Sequence, residues 1–170
     1  MNGRTLVVGM GNDYRCDDAV GPVVARRVAS RLGNIDRHDI DVLGGVADPL
    51  DLLGRWEGAA LVVVVDAIRS DAPAGTVSVV ELSDLAPTPG GTSTHGIGVV
   101  TALRLARSLG QAPERVVLVA IAGADFGRGD GLGPAVADAV PGAVEHVVAL
   151  VTAARVTDLD HGWTESSPAR

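Results

Sequence analysis

Three residues far apart in the chain have the chemistry to share one divalent ion: Asp18, Asp66 and His95. Asp18 is the second of an acidic pair that opens a helical pattern after Leu6-Val7-Val8-Gly9-Met10-Gly11-Asn12. Asp66 ends the apolar run Ala60 to Val65, and His95 closes a loop rich in proline, glycine, threonine and serine. Two carboxylate oxygens and one imidazole nitrogen form a borderline-hard donor set. It suits zinc or nickel, with positions left open for water or a substrate group. Adjacent carboxylates repel each other, and a divalent cation relieves that repulsion. Each residue also has an ordinary role open to it. Asp17 or Asp18 could cap the first helix, with Asp17 the better placed. Asp66 could be a strand-end acid bonded to backbone amides, and His95 a structural histidine.

The elements that must carry these residues follow from periodicity. Residues 5–10 read as a first strand, and 18–32 as a helix with Val20, Val23, Val24, Val28 and Leu32 on one stripe. Asp39 to Leu43 reads as a second strand, followed by Gly44-Gly45 and a short helix over about 48–56. Ala60 to Val65 has the composition of a central strand covered on both faces. The turn chemistry of 69–75 is too short for a crossover helix, so a strand at about 76–82 runs antiparallel. The loop over 83–95 is long enough to climb back across the sheet, and a helix over 96–109 and a strand over Arg115–Ile121 follow. Gly123 to Gly133 reads as a surface loop. The region 134–155 is helical, with Pro141 starting a second segment. This alternation predicts a three-layer α/β/α sandwich with a mostly parallel five-stranded sheet and one antiparallel strand. Residues 1–156 read as one domain and 157–170 as a flexible tail. In such folds the site lies outside the carboxyl ends of the strands, where all three candidates would meet.

Bulk composition excludes several alternatives. A formal charge of −7 argues against nucleic acid as a partner. All 14 basic residues are arginines, which reads as coding bias rather than a binding signal. Aromatics make up 2% against 46% hydrophobic residues, so Val, Ala and Leu fill the core. A single cysteine, Cys16, leaves no disulfide framework and no cysteine-based zinc site, and it reads as a small loop residue rather than a nucleophile. No secretory signal or membrane-length apolar run is evident, so the expectation is a soluble cytoplasmic protein without membrane contact. The carboxylates after Gly9-x-Gly11 would repel a phosphate, which disfavours a nucleotide site. Serine-hydrolase elbow and zinc-protease helix signatures are missing.

The motif Gly9-Met10-Gly11-Asn12, the pair Asp17-Asp18 with Gly21, the strand end Val64-Val65-Asp66-Ala67 and the segment Thr94-His95-Gly96 together resemble the hydrogenase maturation proteases. Order and spacing match over roughly residues 4–155. The resemblance implies an endopeptidase that removes a C-terminal extension from the large-subunit precursor of a nickel–iron hydrogenase after nickel insertion. It implies that Asp18, Asp66 and His95 are the metal-contacting and catalytic residues. The ion would be nickel supplied by the substrate, with zinc or another divalent metal as a substitute. A non-cleaving chaperone that checks nickel on the same fold is the alternative. One departure stands out: many members carry Asp-Gly-Gly after the second strand, where this chain has Leu43-Gly44-Gly45.

Overall fold

The computed structural model describes residues 3–34, 39–82 and 94–161. Its strands are β1 (Arg4–Met10), β2 (Ile40–Val46), β3 (Ala59–Ile68), β4 (Val77–Glu81) and β5 (Arg115–Ala122). Its helices are α1 (Val20–Arg31), α2 (Thr94–Ser108) and α3 (Pro134–His161). The strands form one sheet in the order β2-β1-β3-β5-β4. All neighbours are parallel except β4, which pairs antiparallel with β5. β4 therefore runs opposite to β3, as the short turn requires, but lies one strand further out at the sheet edge. This is the expected three-layer sandwich, with α1 and α3 on one face and α2 on the other.

Strand alternation sorts the core into two halves. Val7, Val63, Val65, Val117, Val119 and Ile121 pack against Val20, Val24 and Val28 of α1 and the stripe Val136, Val140, Ala143, Val147 and Val151 of α3. Leu6, Val8, Met10, Val62, Val64 and Leu118 pack on the opposite face against Val99, Ala102, Leu103 and Ala106 of α2, together with Leu52 and Trp56. Valine runs suit β1, β3 and β5 because these strands are covered on both sides.

The structure departs from the sequence expectation in several places. The helix expected over 48–56 is only a 3₁₀ turn, Pro49–Leu52, started by Asp48 accepting the Leu50 N–H at 2.9 Å. Gly54 follows with φ 76°, a left-handed conformation that ends helical geometry. Pro141 does not divide the last helical region. It stands exposed inside one continuous α3, and the buried valine stripe on either side keeps the helix intact across the lost N–H. α3 also extends through His161, into the stretch expected to be a tail. By length and composition Pro134–Arg155 would suffice to cross a membrane, contrary to the sequence reading. Its apolar side packs on the sheet, which is the behaviour of a core helix.

Candidate active site

The carboxyl edge of the sheet is built by close approach. Gly11 adopts φ 123°, and a Cβ there would collide with the Asp18 carbonyl. A Cβ on Gly21 would collide with the Met10 carbonyl and come within 2.6 Å of the Val65 carbonyl. The start of α1 is thus pressed onto the ends of β1 and β3. This is what the opening glycines do: they admit a helix rather than a phosphate. Asp18 lies in the 3₁₀ turn Cys16–Ala19 just before α1 and is 3% exposed. Its Oδ2 accepts the Asn12 N–H at 2.9 Å, tying the acid to the end of the first strand's loop.

Asp66 is fully buried in β3, one residue beyond Val65. Register places Gly9 opposite Val65, so Asp66 falls beside the end of β1, one strand spacing away. Val65 and Ala67 face the α1 and α3 side, and Val64 faces α2. Alternation therefore turns Asp66 toward the α2 layer. His95 is the second residue of α2. One turn later a Cβ on Gly98 would meet the Pro49 ring at 2.7 Å, and Pro49 lies just past the carboxyl end of β2. The beginning of α2 therefore sits at the same sheet edge as Asp18 and Asp66. The His95 side chain lies outside the described residues, and among those described no group of three His, Cys, Asp or Glu gathers to hold a metal.

Asp17 behaves differently from the helix cap expected of it. No side chain caps the 3₁₀ turn or α1. Instead the Asp17 carboxylate accepts three backbone N–H groups from the other end of the chain: Ala124 at 2.8 Å, Asp125 at 2.9 Å and Gly133 at 2.7 Å. Gly133 directly precedes α3, so the charge caps that helix and opposes its positive end. Burial pushes the Asp17 carboxyl up, but the three amide donors outweigh it and hold the group below its ordinary value. The backbone adds its own ties: Asp17 N–H to the Asp125 carbonyl at 2.9 Å, Cys16 N–H to Gly129 at 3.1 Å and Gly129 N–H to Tyr14 at 3.1 Å. Sequence reading missed this anchor. Its one signal was the density of small residues over 123–133, since Gly123 and Gly133 both lie hard against Asp17. Cys16 shows φ 46°, and burial followed by the Asp125 charge raises its thiol pKa, which opposes a nucleophilic role.

The site thus lies in a five-stranded α/β/α sandwich with two buried acids, Asp18 and Asp66, at the carboxyl edge of its sheet. The sequence profile of the hydrogenase maturation protease family (HycI) matches residues 24–150. The hydrogenase 2 maturation protease of Escherichia coli K12 is 27% identical over 151 residues, covering 87% of this chain and 90% of that protein. Among solved structures, the hydrogenase maturating endopeptidase HybD from E. coli superposes with a TM-score of 0.70 at 24% identity, covering 88% of this chain and 92% of that one. The [NiFe] hydrogenase maturation protease HycI from Thermococcus kodakarensis KOD1 also gives 0.70, at 22% identity over 88% and 93%. These two likenesses establish the fold. The chain belongs to the hydrogenase maturation protease family, and it is an endopeptidase rather than a non-cleaving chaperone.

Proposed function

We propose that this protein removes the C-terminal extension from the large-subunit precursor of a nickel–iron hydrogenase once nickel has been inserted, and that it does so in the cytoplasm. The observation that carries this reading is the placement of two buried carboxylates, Asp18 and Asp66, at one sheet edge, where α2 also begins. Two oxygens and the imidazole of His95 fit a divalent ion of intermediate hardness, and nickel carried by the precursor is such an ion. Zinc would be a substitute with the same donors. A bound divalent ion polarises a carbonyl or lowers the pKa of water.

The chain's own residues divide the remaining work. Asp18 is held in place by the Asn12 N–H, and Asp66 is enclosed in the sheet, so neither needs to move far to meet the substrate. One carboxylate takes a proton from the attacking water as general base. Water oxygen then bonds to the scissile carbonyl carbon, the proton passes to the leaving nitrogen, and the carbon–nitrogen bond breaks. The test is to incubate wild-type protein with nickel-loaded and nickel-free precursor and weigh the products. Shortening of the loaded precursor alone is expected. A loaded precursor that keeps its full mass would overturn the proposal.

A further inference from the structure

The loop anchored by Asp17 does more than cover the core. With the turn over residues 12–15 it walls a cleft of about 710 Å³ lined by Asn12, Tyr14, Arg15, Phe126, Arg128 and Asp130, among others. Asn12 belongs to both places: it lines the cleft, and its N–H holds Asp18. The cleft therefore adjoins the candidate active site at Asn12.

Its walls are fixed and its charge runs against the rest of the chain. Phe126 is held by the Arg69 guanidinium 4.3 Å from its ring centroid, and its carbonyl accepts from Arg15 Nη2 at 3.2 Å. The ring also lies so close to Gly123 that a Cβ there would come within 2.8 Å of it. Two guanidiniums face one carboxylate across the lining of a protein whose formal charge is −7. Arg128 is exposed and makes no salt bridge among the described residues. Tyr14, 74% exposed, offers an apolar ring beside these charges. A concave site with a small excess of guanidinium attracts a carboxylate, and the planar fork binds it in two places.

We infer that this cleft receives the end of the precursor that cleavage releases, with Arg15 and Arg128 binding its terminal α-carboxylate. The inference rests on the proposed function, because any C-terminal extension ends in that group. It makes the loop over 123–133 a ruler. An extension short enough to lodge its terminus against Arg128 sets its scissile bond beside Asp18.

The test titrates three peptides into isotope-labelled full-length protein: acetyl-trialanine as the free acid, the same peptide as its amide, and acetyl-Ala-Glu-Ala amide. The free acid is expected to shift the Gly127 and Gly129 amides and the Arg128 Nε, and the plain amide to leave them in place. Equal shifts from the glutamate peptide would overturn the assignment to the terminal carboxylate, as would no shift from any peptide. In the processing reaction, Arg128→Gln should raise KM about tenfold, the scale of one charge-assisted hydrogen-bonded contact. Arg128→Lys should recover part of the loss. An unchanged KM in Arg128→Gln would also overturn the inference. If wild-type protein fails to shorten the precursor, the proposed function fails instead, and the peptide titration still reads the cleft independently.

Discussion

Asp17 and Asp18 are neighbours in sequence and both hidden from solvent, yet they are tied to different regions of the molecule. Asp17 faces the far end of the chain and is satisfied by three amide donors and the start of α3. Asp18 accepts the Asn12 N–H in the turn before α1, at the sheet edge where Asp66 lies and α2 begins. One acid is consumed by architecture, and the other is the one proposed to do chemistry. Burial alone therefore does not mark a functional carboxylate. What distinguishes the two is the direction in which each is held.

The largest effect should come from the presented acids. Asp66→Asn and Asp18→Asn keep shape and remove charge. Each is expected to lower processing of nickel-loaded precursor at least about a hundredfold, the typical contribution of a general base. Circular dichroism should report a folded protein in both. Wild-type rates in a folded Asp18→Asn variant would erase the distinction between Asp17 and Asp18.

Asp17→Asn should do the reverse and act on stability first. The amide has one acceptor oxygen for three N–H groups and would turn its NH2 against at least one of them, leaving a buried donor unmatched at a cost of about 2 kcal/mol. A protein of this size then melts several degrees lower, which calorimetry would detect. A melting temperature equal to wild type would show that the anchor is dispensable.

Acid sharpens the same contrast. The Asp17 pKa lies below its ordinary value of 3.8 in the folded protein, so the unfolded chain takes up the proton more readily. Its stabilising contribution is complete above pH 3.8 and is lost as pH falls through the depressed folded value. The melting-temperature gap between wild type and Asp17→Asn is thus expected to be widest near neutrality and to narrow in acid. A gap that widens in acid would reverse the sign of this linkage.

The smallest effect belongs to a third acid of the same turn. Asp13 pairs with Arg26 at 2.9 Å and 3.2 Å, but both side chains are largely exposed. Asp13→Ala should cost less than about 1 kcal/mol and leave processing intact. A larger loss in chemical denaturation would mean that the turn is held by its surface as well as by Asp17.

Much of this arrangement was legible in the chain itself. The valine run of β3 marked a central strand, because covered parallel strands favour such runs, but Asp66, expected at its end, lies inside it, since β3 stays paired with β5 through Ile68. The short turn after β3 gave the direction of β4, though not its neighbour. Pairing beyond β5 depends on which edge remains open once the parallel strands have assembled. Pro141 was misread because local chemistry favours a helix start at proline, whereas packing of Val136 to Val151 carries α3 through it. Asp17 was misread for a related reason. Cap preference is a local rule, and its real partners lie 107 to 116 positions away.

That separation has a consequence for synthesis. While the ribosome has delivered only the first hundred residues, the amides that clasp Asp17 do not yet exist, and the turn carrying its neighbour lacks that brace. The working edge of the molecule is completed only when β5 and the beginning of α3 arrive. A nascent or truncated chain would thus carry the acids of a hydrolase without the scaffold that aims them.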